Sequence, residues 1–208
     1  MPTASSTQLK LLPEVEAFLG RGILPAIVGG RPVEAASGAT LSTIDPGSGK
    51  TLAEIQDLDA SQVDAAVDAA QAAFPAWAKL SVDERSKILL ALADLVEKHL
   101  PVIAQIEALD AGKIEAQAQG DVQNFVATLR YFVKLAGQVQ ERTQLDVEGH
   151  EAWTYKQPWG VCAFIFPWNF PMLLLGWGIS PALAAGNTVV IKPAEDTSLS
   201  AIYVAELA

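Results

Sequence analysis

Apolar positions recur along this chain with two periods, and the change of period divides it. Val63, Val67, Ala70 and Phe74 are spaced four, three and four apart, with Asp64 and Asp68 off that face, which predicts an amphipathic helix. A second helix opens at Ser81-x-x-Glu84, a capping box that satisfies otherwise unpaired backbone donors. It runs on through Ile88, Leu89, Leu92, Leu95, Val96 and Leu100; Pro101 bends it, and Val102 to Leu109 resume the pattern. A third helix carries Val122, Phe125, Val126, Leu129, Phe132 and Val133 and stops at Gly137. Before these helices, residues 26–56 read as short strands with a Gly29-Gly30 hairpin and a turn at 45–49, preceded by a leader (residues 1–20) with a small helix over Pro13 to Leu19. Residues 138–158 are more polar, with Asp146, Glu148 and Glu151 around Gly149, and predict a hairpin whose return strand is Trp153 to Gln157. The last third predicts a βαβ unit: a strand over 160–166, a helix from Phe170 to Ala185 stopped by Gly186-Asn187, and a strand from Thr188 to Lys192. A further helix starts near 197, capped by Thr197 or Ser198.

Composition narrows the classes. Of 208 residues, 50% are hydrophobic and 18% charged, enough for a sizeable core and too apolar for disorder. Fourteen basic against 24 acidic residues leave a net charge of −10, which argues against a nucleic-acid partner and against an anionic membrane surface. No residue from Gln157 to Ile191 is charged, a run long enough to span a bilayer. Pro167, Pro171 and Pro181 and four glycines interrupt it, so a buried strand–helix–strand unit is the expectation and a membrane partner is not. The single cysteine, Cys162, excludes an internal disulfide, and with only two histidines no structural metal site is expected. Cys162 reads as a small buried hydrophobe inside a strand, and His99 and His150 as surface residues. With no secretory pattern at the N-terminus, the expected compartment is the cytoplasm.

Two segments carry candidate chemistry, both where a parallel strand ends and where open α/β sheets bind ligands. In Phe166-Pro167-Trp168-Asn169-Phe170-Pro171 an asparagine stands between two prolines that restrict the backbone around it. Its amide can donate to a developing oxyanion, or can simply bond its own turn. In Lys192-Pro193-Ala194-Glu195 the carboxylate can accept from ribose hydroxyls and the ammonium can donate, or the two can form a solvated surface pair. The G-x-G-x-x-G phosphate fingerprint is absent.

The succession Tyr155-Lys156-Gln157-Pro158-Trp159-Gly160-Val161, Pro167-Trp168-Asn169-Phe170-Pro171, Pro181 to Thr188 and Lys192-Pro193-Ala194-Glu195 resembles the aldehyde dehydrogenase superfamily. Upstream, Val28-Gly29-Gly30-Arg31, residues 45–49, Asp110-Ala111-Gly112-Lys113 and Arg130-Tyr131-Phe132 look like the same family, so the resemblance spans nearly all the chain beyond residues 1–20. It implies an α/β fold, a three-layer Rossmann-like parallel sheet with flanking helices and a protruding hairpin. The implied divisions are a leader at 1–20, the first part of a cofactor-binding domain at 21–137, an oligomerisation hairpin at 138–158 and a first βαβ of that domain, incomplete, at 159–208. It also implies oxidation of an aldehyde to an acid through a cysteine thiohemiacetal, with Asn169 as the oxyanion donor. Ile165, Phe166, Pro167, Trp168, Lys192, Ala194 and Glu195 would line the cofactor. Glu195 favours NAD, with NADP possible, and the full-length partner is a homodimer or homotetramer. The family's nucleophile, general base and phosphate loop lie downstream of the KPAE segment, so the chain is expected to be an N-terminal fragment without activity of its own; a truncated, non-catalytic nucleotide-binding relative is the alternative. Many relatives carry a lysine where this sequence has Gly178, which puts a proton relay there in doubt.

Overall fold

The computed structural model describes residues 10–139 and 142–208. The first nine residues of the leader, and the two residues at the base of the hairpin, lie outside the described residues. Helix α1 (Pro13–Leu19) leads into strands β1 (Ile23–Leu24), β2 (Ala26–Val28), β3 (Arg31–Val33), β4 (Thr40–Ile44) and β5 (Thr51–Gln56). Helices α2 (Ala60–Lys79), α3 (Val82–Lys98), α4 (Leu100–Ala111) and α5 (Glu115–Ala136) follow, then the hairpin strands β6 (Arg142–Val147) and β7 (His150–Tyr155). The chain continues through β8 (Val161–Ile165), α6 (Pro171–Ala184), β9 (Thr188–Lys192), one 3-10 turn at Glu195–Thr197 and α7 (Leu199–Leu207).

The expected βαβ unit is present: β8 and β9 pair in parallel with α6 between them, in a register that sets Ile165 beside Lys192. Val189 and Ile191 on one face of the pair pack into the main core, while Thr188 on the other face donates to the Ala70 carbonyl of α2 at 3.0 Å. Locally this is helix, sheet, helix. A continuous Rossmann sheet is not seen among the described residues. The strands form four small sheets instead, in the orders β1-β5-β4, β2-β3, β6-β7 and β8-β9.

Two apolar clusters hold the fold. The main one joins Leu89, Val96, Ile103, Val122, Phe125, Leu129, Met172, Leu175 and Ile179 from α3 to α6. Phe125 is fully buried, and truncating such a ring costs about 3–5 kcal/mol. The second packs Val15 and Phe18 of α1 against Leu24, Ile55, Val102, Ile106 and Leu199. Buried Gln105 fastens the approach to α1, accepting from Leu12 N at 2.7 Å and donating to the Lys10 carbonyl at 3.2 Å.

Several local expectations need correction. Helix α2 exists, capped by an Asp59–Gln62 box that the apolar pattern did not show, but Val63 and Val67 are 47% and 39% exposed. The helix meets its neighbours through the Thr188 bond and through Trp77, whose indole N–H reaches the Leu183 carbonyl at 3.1 Å. The Ser81–Glu84 box forms as expected. Pro101 does not bend a continuous helix: α3 ends at Lys98, and Pro101 falls in the first turn of α4, where its missing N–H is harmless. Neither Thr197 nor Ser198 caps α7 with its side chain. Asp110, on α4, accepts from Leu199 N at 2.9 Å and satisfies that helix start from across the core. Cys162 is half-buried, on the same face of β8 as Phe164 and opposite the exposed Ala163 and Ile165. His99 is also half-buried; its Nδ1 lies 2.9 Å from the Tyr203 hydroxyl. His150 is exposed. No helix among the described residues is long and apolar enough to cross a membrane.

Candidate functional site

Strand β8 ends at Ile165, which is 80% exposed, and the chain is held to β9 for one more residue by Phe166 N donating to the Lys192 carbonyl at 3.0 Å. The phenyl ring of Phe166 turns inward, stacked on Phe164 with centroids 5.6 Å apart and planes 4° from parallel. A Cβ at Gly178 would meet that ring at 2.7 Å and Phe164 at 3.0 Å. This answers the question that Gly178 raised: the two rings fill the space where a side chain at 178 would start, and no ammonium can stand there without displacing them.

Pro167, Trp168 and Asn169 then form an exposed turn, and Pro171 opens α6. Among the described residues, the Asn169 amide makes no hydrogen bond to its own turn or to any other group; the turn's stability comes from elsewhere. The Trp168 carbonyl accepts from Thr197 Oγ1 at 3.1 Å, the Asn169 carbonyl accepts from Lys113 Nζ at 3.4 Å, and Met172 N donates to Glu107 Oε1 at 3.3 Å.

Behind the turn lies a buried network. Lys113 Nζ pairs with Glu107 at 3.1 Å and Asp121 at 2.9 Å, all three side chains at most 9% exposed. Glu107 Oε2 accepts from Ser200 Oγ at 2.7 Å. Burial raises the Glu107 carboxyl above its ordinary range, opposed by the neighbouring Lys113 charge and by hydrogen bonds from Ser200, Lys113 and Met172. Asp110 is pushed up to about 8, first by burial and further by the Glu107 and Asp196 charges, with the Leu199 N–H working the other way. Among the described residues, Asp110 Oδ1 has no hydrogen-bond partner. The resemblance flagged Asp110 and Lys113 only as matching helix residues; the network itself was missed. The available signal was α4 itself: Glu107 and Asp110 sit in the apolar sequence LPVIAQIEALDA, where buried carboxylates require partners.

Lys192 and Glu195 meet across the end of β9, Nζ to Oε2 at 2.5 Å, each 59% exposed. The Lys192 hydrogen bond holds the Glu195 carboxyl below its ordinary range, so it stays ionised at neutral pH. Ala194 is half-buried between them. The β8–β9 register therefore brings Ile165, Phe166, Pro167, Trp168, Lys192, Ala194 and Glu195 to one sheet edge, with Asn169 at its far end. Further along α6, Trp177 faces Ala127, Thr128, Tyr131 and Phe132 of α5 across an open hollow of about 460 Å³. Its indole N–H donates to Asn124 at 3.0 Å. Among the described residues, no three metal-ligating side chains cluster.

Residues 33–208 match the model described as the aldehyde dehydrogenase family. A mitochondrial benzaldehyde dehydrogenase of Antirrhinum majus is 44% identical over 185 residues, 87% of this chain and 34% of that relative. Human retinal dehydrogenase 2 is 38% identical over 211 residues, 99% of this chain and 40% of that relative. A Bacillus cereus aldehyde dehydrogenase solved as an NAD+ complex superposes with a TM-score of 0.90 at 37% identity, over 95% of this chain and 41% of that one. The chain thus spans about 40% of the length of such relatives, in their N-terminal portion.

Proposed function

The chain belongs to the aldehyde dehydrogenase family, and from that premise we propose that it is part of an enzyme that oxidises an aldehyde to a carboxylic acid with NAD, NADP being the second choice. The observation that carries the proposal is the Asn169 turn: a side-chain amide without a hydrogen-bond partner among the described residues, on a backbone held at Trp168, at Asn169 and at Met172 in the helix that follows. An amide presented in this way is pre-organised to donate to an oxyanion and needs no reorganisation when charge develops. Three further readings go with it: the thiolate that attacks the aldehyde belongs to a longer protein, the hairpin β6–β7 assembles a dimer or tetramer, and the compartment is the cytoplasm.

The residues at the sheet edge fit half of a dinucleotide. The Glu195 carboxylate, ionised and exposed, accepts from adenosine ribose hydroxyls, and Lys192 donates beside it. A 2′-phosphate would stand against the Glu195 charge, hence the preference for NAD. Ile165, Phe166, Pro167 and Trp168 offer main chain beside the cofactor, and Ala194 leaves room for it. NAD supplies a hydride acceptor when bound. Asn169 steadies the tetrahedral oxygen, and the apolar hollow between α5 and α6 suits the aldehyde's carbon chain.

Cys162 does not serve as the nucleophile in this proposal. It lies within β8, paired across the sheet with Val189 and seven residues before Asn169. The 208-residue chain alone should therefore make no NADH from an aldehyde and NAD, while the gene's full-length product should. An intact-mass measurement from source cells, followed by that assay on the species found, tests both statements. NADH production by the 208-residue chain, or none by a longer product across an aldehyde panel, would overturn the proposal.

A further inference from the structure

We propose that Lys113 is a positioning residue for Asn169, acting through the main chain of the turn; the inference rests on the reading of Asn169 as an oxyanion donor. An ammonium has three N–H donors. Lys113 meets three oxygens: Glu107 Oε1 at 3.1 Å, Asp121 Oδ2 at 2.9 Å and the Asn169 carbonyl at 3.4 Å. The first two are buried carboxylates that anchor the ammonium to α4 and α5. The third belongs to the residue whose amide is to be aimed. Lys113 Nζ also stands 4.9 Å from the centre of the Phe170 ring, so it touches two successive residues of the turn. Glu107 completes the arrangement, because the oxygen that binds Lys113 also takes the Met172 N–H at the start of α6.

The local sequence explains how Lys113 reaches this place. Gly112 ends α4 in the left-handed conformation, φ 64°, and turns the chain back toward the core. A Cβ on Gly112 would stand 2.5 Å from Pro46 Cγ, so the turn also needs the missing side chain. One cation thus fixes the carbonyl side of Asn169, while Thr197 holds the carbonyl before it and Glu107 the Met172 amide three residues on, in the first turn of α6.

The test is a double-variant cycle in the gene's full-length product, with kcat, KM for NAD and thermal midpoint measured for each protein. Lys113→Met should lower kcat roughly 10- to 100-fold with KM for NAD nearly unchanged, the scale expected when a reacting group is displaced by about 1 Å. Adding Lys113→Met to Asn169→Ala should cost little further, because no amide remains to position. Lys113→Arg keeps the charge that Glu107 and Asp121 require, and runs the same cycle if the methionine variant does not melt cooperatively; its planar fork should give a smaller loss that is likewise absent from the Asn169→Ala background. Unchanged kcat in the Lys113 variants, or losses that multiply in the double variants, would overturn the positioning role. Full activity in Asn169→Ala would overturn the oxyanion reading and this inference with it, and that single variant tells the two failures apart.

Discussion

The two segments at the sheet edge are built in opposite ways. The Asn169 turn is exposed itself, yet two of its carbonyls are held by Thr197 and Lys113, and Glu107 holds the Met172 amide of the helix that follows; Lys113 and Glu107 belong to a buried ionic network. Among the described residues, the Lys192–Glu195 pair finds no side-chain partner but each other, and it is mostly in water. The difference matches the two tasks proposed for these segments. An oxyanion donor must be in place before charge develops, because moving it later would add to the barrier. A ribose-binding pair can open on contact and exchange its mutual bond for bonds to hydroxyls, since an exposed ion pair is worth little.

Mutations should separate the two segments, and the largest effect belongs to Glu107. Replacing it by leucine strands Lys113, Ser200 and the Met172 amide, and breaking a buried pair in this way costs about 3–5 kcal/mol. Chemical denaturation of Glu107→Leu should show a loss of that size or no folded state; stability near the parent's would mean that the turn is not held by the network. Gly178→Lys comes next. Its Cβ collides with the Phe166 ring, and overpacking of this kind costs about 1–3 kcal/mol, with the damage transmitted to the residue just before Pro167.

Asp110 gives an effect of opposite sign. Its carboxyl is held protonated in the fold up to about pH 8, whereas an unfolded aspartate ionises near 3.8. Its contribution is therefore fully present below about pH 4 and is lost progressively as pH rises to about 8. Asp110→Asn keeps an acceptor for Leu199 N and removes the titration, so its thermal midpoint should exceed the parent's at pH 8 and converge with it near pH 4. A parent and variant with parallel pH curves would show that Asp110 is not held protonated. The smallest structural effect is at the other segment. Lys192→Ala should leave the thermal midpoint unchanged while weakening NAD binding, read by calorimetry on the full-length product; a clear loss of stability would show that the pair is part of the scaffold.

The sequence announced the exposed half of this arrangement more readily than the buried half. The βαβ unit was legible because β8, α6 and β9 change period and are separated by Pro, Gly and Asn signals, and β9 begins and ends at the expected residues. The Asn169 turn was legible because two prolines bracket it. The network was not, because its members are far apart in the chain, at Glu107, Lys113, Asp121, Thr197 and Ser200, and become neighbours only when α4, α5, α6 and α7 pack. The α7 cap failed for the same reason, since the acceptor is Asp110, 89 residues away. The α2 pattern identified a helix correctly and its packed face only in part, Ala70 and Phe74 being half-buried and Val63 and Val67 exposed, because periodicity reports a face and not what covers it. The resemblance implied a Rossmann-like parallel sheet, and the described residues hold two parallel pairs, β8–β9 and β1–β5, within four small sheets.

The most direct test sets Asn169→Ala beside Glu195→Gln in the full-length product and measures kcat and NAD affinity for both. The account predicts that Asn169→Ala lowers kcat about 100- to 1,000-fold with NAD affinity kept, and that Glu195→Gln weakens NAD with kcat kept. Unchanged kcat in Asn169→Ala would contradict it.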